Sequence, residues 1–156
     1  MDNFIGSAAD LRDMTADRNF LSAPINTKAK DDFKFLCSRA GYMALNNVNY
    51  LDVRVLSDKK IGDFFIIGHN ADDKVAYFPQ PYIDVNLANL YVAVVYYENG
   101  TVSDVYCFKA SGFKKTGIFS MFKKKDDWFS IVMPAKDKLK EYSFGYVIKK
   151  ILEGEK

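Results

Sequence analysis

Residues 89–110, NLYVAVVYYENGTVSDVYCFKA, contain two β-rich runs on either side of Glu98-Asn99-Gly100. The first run, residues 90–97, is almost continuously apolar, which is typical of a central strand buried on both faces. Asn99-Gly100 follows, and this pair favours a type I′ turn because both residues adopt positive φ at low cost. After the turn, Val102, Asp104 and Tyr106 alternate with Ser103, Val105 and Cys107. The stretch therefore predicts a core β-hairpin.

The composition is that of a folded globular chain. Hydrophobic residues make up 49% of the 156 residues, close to the globular average, which excludes a disordered chain. At this length we expect one domain over residues 1–156, long enough to bury a core. The 22 Lys and Arg against 20 Asp and Glu give a net charge of +2. That balance is too small to indicate a nucleic-acid or acidic partner by itself.

The cellular compartment is predicted from the cysteines and the apolar runs. Cys37 and Cys107 fall in a predicted helix and a predicted strand, where buried free thiols are expected and a disulfide is not. The first residues show no basic stretch followed by an apolar run, so we expect no signal peptide. No apolar run reaches the ~20 residues needed to span a bilayer. These observations predict a cytoplasmic protein without a membrane partner.

Helices are predicted before and after the strands. Ser7 is placed to cap a short helix at 8–15, whose few apolar residues leave residues 1–27 weakly anchored. A second helix is predicted over 28–46, with apolar residues at three-four spacing on one face. Gly41 is an alternative end for this helix, with extended chain beginning at Tyr42. A last helix is predicted from Ser143 to about 153.

Besides the hairpin, strands are predicted at 48–56, 63–68, 74–78 and 128–133. The chain therefore reads as helices, then about six strands, then a helix. This order predicts an α+β fold in a single domain. We expect a central mixed or mostly antiparallel sheet of about six strands, with N-terminal helices and one C-terminal helix packed on it.

The residue types leave few catalytic options. His69 is the only histidine, and no HExxH, paired CxxC, Walker or GxGxxG pattern occurs. His69 follows a buried strand in a predicted polar turn, where it is either a general base or an ordinary surface residue. Nucleophilic catalysis of the Cys-His or Ser-His-Asp kind would have to use this histidine.

Carboxylates are the other candidates for chemistry. Asp52 lies in a predicted strand, and Asp72 and Asp73 precede Lys74. Mg²⁺ takes one or two carboxylates together with phosphate oxygens of a substrate. Asp52 with Asp63 or Asp72 would supply such a metal site, and Lys74 would stabilise the developing charge. The alternative is that these acids are solvated turn and surface residues.

Three successive segments follow a helix, strand, strand pattern. Residues 31–42, DDFKFLCSRAGY, read as an acidic helix with a Gly-Tyr end, residues 50–55, YLDVRV, as a strand carrying Asp52, and residues 64–69, FFIIGH, as the next strand. Over residues 30–110, and most closely over 30–69, the chain resembles the core of the PD-(D/E)xK, restriction-endonuclease-like nucleases. This resemblance covers about half of the chain.

The resemblance implies a nuclease-like fold with a Mg²⁺ site. In the family, the metal is held by the Asp of one strand and the acid of a Glu-x-Lys pair on the next. Here Ile67 stands in place of the acid and His69 in place of the lysine, and an isoleucine side chain binds no metal. Asp72-Asp73-Lys74 has the Asp-x-Lys spacing but falls in a predicted turn.

The segment from Val105 to Lys125 is basic and aromatic. It contains six lysines (109, 114, 115, 123, 124 and 125), no acid and no arginine, with phenylalanines interleaved. Lysines neutralise phosphates and rings stack on bases, whereas the absence of arginine disfavours bidentate base recognition. The alternative without a binding function is a solvated loop whose phenylalanines pack on the sheet. We predict a basic aromatic loop at 111–127, with these binding candidates: Lys114, Lys115, Phe119, Phe122, Lys123, Lys124, Lys125 and Trp128.

Two functions follow from these residues. The first is a non-catalytic binding protein on a nuclease-like α+β scaffold, without a cofactor, which contacts a protein or a nucleic acid through the basic aromatic loop. The second is a Mg²⁺-dependent nuclease or phosphodiesterase that uses Asp52, Asp72 or Asp73, and Lys74, with Asp52 and Asp72 as metal ligands. A phenylalanine-rich loop is also suited to a homo-oligomer contact.

Overall fold

The computed structural model describes residues 23–46, 52–57, 60–70, 75–79, 83–84, 86–111, 122–125, 128–132 and 140–152. Of residues 52, 75–79, 122–125, 128–132 and 151–152 the backbone alone is described. The helices are α1 (Pro24–Arg39) and α2 (Phe144–Leu152). The strands are β1 (Met43–Asn46), β2 (Asp52–Leu56), β3 (Ile61–Asn70), β4 (Val75–Pro79), β5 (Leu90–Glu98), β6 (Thr101–Lys109), β7 (Phe122–Lys125) and β8 (Trp128–Val132). The helix predicted at 8–15 lies outside the described residues.

The main sheet has five strands in the order β1-β2-β3-β5-β6. Strands β3 and β5 are parallel, and every other pair of neighbours is antiparallel. The predicted α+β fold with a mixed sheet is confirmed, with five strands in this sheet where about six were expected. The continuously apolar run 90–97 lies inside β5, whose residues are buried up to Tyr97, as the sequence predicted.

The remaining described strands form a second sheet in the order β4-β8-β7, with antiparallel pairing throughout. Strands β4 and β8 were predicted in the central sheet, because local patterns do not identify the partner of a strand about 50 residues away. Residues 122–125, which fall in the predicted loop, form strand β7. Residues 112–121 of that predicted loop lie outside the described residues.

The predicted hairpin is formed by β5 and β6. Asn99 has φ 51° and Gly100 has φ 78°, as the two central residues of a type I′ turn require. A β-bulge interrupts the pairing, since Tyr96 pairs with Asp104 whereas Tyr97 pairs with Val102. The extra residue reverses the alternation of side chains between the two faces of the sheet. Val102 therefore packs on the same core as Val105, although the two are three residues apart. The simple alternation expected for β6 therefore holds only after the bulge.

Helix α1 ends earlier than residue 46, at the alternative position that the sequence offered. Gly41 has φ 91°, its N–H donates to the carbonyl of Ser38, and the N–H of Tyr42 donates to the carbonyl of Cys37. These two bonds form a Schellman motif, which needs a left-handed residue and therefore favours glycine. At the other end, Pro24 occupies the first helical turn, where its missing N–H costs no hydrogen bond.

Both helices pack on one face of the main sheet. Phe33 of α1 lies at the centre of this core, with its ring centroid 5.1 Å from that of Phe64 and 5.5 Å from that of Phe144. The buried cluster comprises Ala29, Phe33, Cys37, Val53, Val55, Phe64, Ile66, Tyr91, Ala93, Val95, Tyr97, Val105, Cys107, Val147 and Ile148. Cys37 and Cys107 are both free and buried, as predicted.

The opposite face of the main sheet is also buried at its centre. Phe65 and Ile67 of β3, Val92 and Val94 of β5, and Phe108 of β6 are all at most 1% exposed. These residues alternate with those of the helix-covered core, so the sheet is apolar on both faces. Among the described residues, no helix has the length and apolarity required to cross a membrane.

Candidate functional site

The strand positions that resemble the nuclease motif lie side by side in the main sheet. Asp52 pairs with Phe65, and Ile67 follows two residues along β3. Ile67 is 1% exposed and pairs with Val94 of the neighbouring parallel strand. The position that supplies a carboxylate in the nucleases is therefore filled here by a buried aliphatic side chain without a ligand atom.

Asp63 is the carboxylate on β3 that the sequence analysis weighed as a metal ligand, and it is held in an ion pair. Arg54 Nε lies 2.8 Å from Asp63 Oδ1, and Arg54 Nη2 lies 3.1 Å from Asp63 Oδ2. Both carboxylate oxygens therefore accept from one guanidinium, in the fork geometry that arginine favours. This bond and the charge of Asp63 raise the pKa of Arg54. Asp63 is thus engaged in joining β2 to β3.

His69 lies within β3, which continues to Asn70, so the turn predicted to begin at this residue is wrong for His69 and Asn70. It is partly buried, and its ring meets that of Tyr96 edge-on at 5.7 Å between centroids. Tyr96 in turn contacts Tyr106 at 5.9 Å. Burial, with a further contribution from Tyr106, raises the pKa of Tyr96, so its hydroxyl stays protonated at neutral pH. His69 therefore contacts an aromatic ring whose hydroxyl is uncharged at neutral pH.

The side chains of the other acidic candidates lie outside what the structure describes. Asp72, Asp73 and Lys74 lie outside the described residues, and of Asp52 the backbone position alone is described. Among the described residues, no three His, Cys, Asp or Glu side chains are grouped as a metal site requires. The predicted Mg²⁺ site of Asp52 and Asp72 thus remains a prediction.

Part of the basic aromatic segment is ordered as a strand. Lys123, Lys124 and Lys125 lie in β7, and Lys125 pairs with Trp128 of β8. The predicted binding residues Lys114, Lys115 and Phe119 lie outside the described residues. The antiparallel pairing places positions 123 and 125 on one face of this sheet and position 124 on the other.

One polar cluster was missed by the sequence analysis. Tyr97 Oη donates to Asp32 Oδ2 at 2.6 Å, and Lys28 Nζ lies 3.1 Å from the same oxygen. The Lys28 ammonium also lies 4.3 Å from the centre of the Tyr97 ring. Lys28 and Asp32 are four residues apart, a spacing that indicates an ion pair on a helix, but the tyrosine comes from a strand 65 residues away.

No family model matches this chain, and no curated protein matches it. Among solved structures, it is similar to Hjc, a Holliday junction resolvase of the archaeal hyperthermophile Archaeoglobus fulgidus. The TM-score is 0.47 at 15% sequence identity, and the match covers 69% of this chain and 83% of the resolvase.

The resolvase has a restriction-endonuclease-like PD-(D/E)xK fold, the same fold that the sequence resembles. An identity and a TM-score of this size carry no inference about the activity or the substrate of this chain.

Proposed function

We propose that this chain is a non-catalytic nucleic-acid-binding protein on a nuclease-like α+β scaffold. The observation that carries the proposal is Ile67, which is 1% exposed at the strand position where the resemblance calls for a metal-binding acid. A divalent cation requires oxygen ligands, and an aliphatic side chain supplies none. The neighbouring acid Asp63 has both oxygens bonded to Arg54.

The lysines of β7 support a polyanionic partner. Three consecutive lysines occupy positions 123–125, and residues 105–125 contain no acid. Each lysine that contacts a phosphate releases counterions, which makes the affinity fall as the salt concentration rises. Because this segment contains no arginine, we expect the contact to be largely independent of base sequence.

The proposal is tested by measuring the binding of fluorescent DNA and RNA oligonucleotides by anisotropy at several salt concentrations. Replacing Lys123, Lys124 and Lys125 together with glutamine is expected to weaken binding. It should also lower the slope of log K against log salt by roughly 2, since each lost phosphate contact contributes about 0.7–0.9. The matched control replaces Lys140, Lys149 and Lys150, which are exposed in and before α2. Equal losses in both triple variants would contradict a site on β7.

Catalysis is tested on the same preparation. The competing function is a Mg²⁺-dependent nuclease that uses Asp52, Asp72 or Asp73, and Lys74. We expect no cleavage of bound DNA or RNA with Mg²⁺ or Mn²⁺, and no difference between wild type and Asp52→Ala. Cleavage that disappears in Asp52→Ala would replace our proposal with the nuclease. Binding to a protein and to no nucleic acid would replace it with a protein-interaction function.

A further inference from the structure

The second sheet gathers aromatic and basic residues from distant parts of the chain onto one face. Its pairings align two rows across β4, β8 and β7, and Val75 pairs with Val132 in a further row of the same face across β4 and β8. Tyr77, Ser130 and Lys123 form the first row, and Pro79, Trp128 and Lys125 form the second. Because residues two apart in a strand lie on the same face, both rows share one face of this sheet. We call it the Tyr77–Trp128 face.

The other face of the same sheet has a different composition. Its rows are Ala76, Ile131 and Phe122, and then Phe78, Phe129 and Lys124. Five of these six residues are apolar, whereas the Tyr77–Trp128 face carries two of the three lysines of β7, with Lys125 paired to Trp128 and Lys123 paired to Ser130. A difference of this kind between the two faces is typical of an antiparallel sheet with one apolar and one solvated face.

We propose that the Tyr77–Trp128 face binds single-stranded nucleic acid. This inference rests on the proposed function and specifies its substrate class. Neighbouring strands lie about 4.8 Å apart and alternate residues of one strand about 6.8 Å apart, so the Cα atoms of the diagonal neighbours Tyr77 and Trp128 are roughly 8 Å apart. Two aromatic residues at this spacing on a sheet match the arrangement on which unpaired bases stack.

The lysines of the Tyr77–Trp128 face are placed to contact a nucleic-acid strand that crosses the sheet. Lys123 and Lys125 lie on β7, the edge strand next to β8, so they flank the aromatic positions on one side. Asp126 and Asp127 follow directly, which leaves residues 122–128 with a net charge of +1 from three lysines and two acids. We therefore expect the lysines of β7 to attract phosphates and Asp126 and Asp127 to oppose this attraction.

A duplex is a poorer partner for this face. Bases within a duplex are stacked on each other, so a sheet aromatic reaches them only after they unpair, and the segment lacks the arginines that read base edges. In a single-stranded nucleic acid the flat face of each base is accessible for stacking, whatever the base. We therefore expect binding that tolerates sequence and prefers single strands.

The first experiment measures the affinity of the full chain for labelled oligothymidylate and for a duplex of the same length. Trp128 is the only tryptophan, so base stacking is expected to quench the intrinsic fluorescence of the protein at saturation. Tyr77→Leu and Trp128→Leu should each weaken the single-strand complex about tenfold by anisotropy. Tyr77→Phe and Trp128→Phe keep a ring and should retain most of the affinity.

The chain supplies matched controls on the opposite face. Phe78→Leu and Phe129→Leu remove a ring one residue away from Tyr77 and Trp128, and should leave the affinity unchanged in folded protein. Lys124→Gln should likewise have less effect than Lys123→Gln or Lys125→Gln. Asp126→Asn with Asp127→Asn should tighten binding. Circular dichroism identifies any variant that fails to fold. If a leucine variant fails, the affinities of Tyr77→Phe and Trp128→Phe and the tryptophan quenching of the wild-type chain test the proposal.

The outcomes separate this inference from the proposed function. A preference for duplex, an absence of tryptophan quenching at saturation, or equal losses in the variants of both faces would overturn the single-strand site while nucleic-acid binding stands. If the wild-type chain bound neither single strands nor duplex, the proposed function would fail, and this inference would fail with it.

Discussion

The hydroxyl of Tyr97 donates a hydrogen bond of 2.6 Å to Oδ2 of Asp32, and this bond joins strand β5 to helix α1. Tyr97 is 4% exposed, and burial, followed by the bond to Asp32, raises its pKa. The hydroxyl therefore remains a donor throughout the neutral range. Lys28 completes the cluster by pairing with the same carboxylate oxygen at 3.1 Å.

We predict that Tyr97→Phe lowers the free energy of unfolding by about 1–2 kcal/mol. The substitution keeps the buried ring and removes only the hydroxyl, and hydrogen bonds to charged groups contribute about 1.5–3 kcal/mol. The lower part of that range applies because Asp32 is partly exposed to water. Urea unfolding measures the change. Tyr146→Phe is the control, because Tyr146 is 50% exposed and should lose nothing. Equal stabilities of Tyr97→Phe and wild type would show that the bond contributes nothing net.

A second prediction concerns the close approach of β3 to the start of α1. The N–H of Gly68 donates to Asn26 Oδ1 at 2.8 Å, and Asn26 is 3% exposed. A Cβ on residue 68 would collide with the carbonyl oxygen of Ile25 and lie 2.8 Å from Ile25 Cγ1. Backbone atoms cannot move aside as side chains do, so we expect Gly68→Ala to destabilise the fold by about 3 kcal/mol.

The control for this prediction is another glycine-to-alanine change. Gly145 lies in helix α2, and a Cβ there would meet no atom within 4 Å. Alanine is favoured over glycine within helices by about 0.5–1 kcal/mol, so Gly145→Ala should stabilise the protein. Thermal unfolding of the two variants should therefore shift in opposite directions. A neutral Gly68→Ala would mean that the helix and the strand are not in tight contact.

The contrast between Gly41 and Gly68 shows what could be predicted from the sequence. Gly41 ends a helix through bonds within four residues of itself, and the residue pattern already offered it as an end. The same holds for Asn99-Gly100, whose turn depends on these two residues alone. Gly68 is required by a contact with Ile25, 43 residues away in sequence, and no local pattern reports such a contact.

The candidate sites also divide into features that local sequence predicts and features that depend on contacts between distant residues. Lys28 and Asp32 carry a local ion-pair spacing, but Tyr97 joins them only through the packing of α1 on the sheet. Tyr77 lies more than 40 residues before β7, and only the ladder through β8 places it in one row with Lys123. The bulge after Tyr96 similarly depends on pairing between strands, which is why the alternation of β6 was predicted only in part.

A third prediction concerns stability at alkaline pH. Burial raises the pKa of the Cys37 thiol to about 12, and burial, with a contribution from Cys37, raises the pKa of Cys107 as well. In the unfolded chain both thiols lose their protons near pH 8.5–9, whereas the folded chain keeps them. The folded state therefore binds more protons above pH 9, and stability falls as the pH rises. The expected slope is about 1.4 kcal/mol per pH unit for each thiol.

This pH dependence is checked by urea unfolding between pH 7 and 10. Cys37→Ala combined with Cys107→Ala should reduce the slope, although it lowers the stability at pH 7 because it removes buried sulfur atoms. The tyrosines begin to contribute only near pH 10, where the unfolded chain starts to ionise them. A double variant with the full wild-type slope between pH 9 and 10 would assign the alkaline loss to groups other than the thiols.

The last prediction concerns Ile67→Glu, which places a carboxylate at the position of β3 where the nuclease motif has an acid. Ile67 is 1% exposed, so Ile67→Glu would place an acid in an apolar environment between Phe65 and the parallel strand β5. Burial disfavours the charged form and raises the pKa of such an acid. Its folded pKa would then exceed the unfolded value near 4.3, so the variant is most stable below that value and loses stability as the pH rises. We expect a loss of about 3 kcal/mol at pH 7 and a smaller loss at pH 4.5.

Ile67→Leu and Ile67→Gln are the controls, because the first keeps an apolar side chain and the second is polar without a proton to gain. Unfolding experiments at both pH values, with and without 10 mM Mg²⁺, distinguish two roles of this position. If Mg²⁺ restores the stability of Ile67→Glu and leaves Ile67→Gln unchanged, the strand still holds the remaining ligands of a metal site beside Asp52. We expect no such rescue, because Ile67 lies in an apolar core and the proposed function requires no cation there.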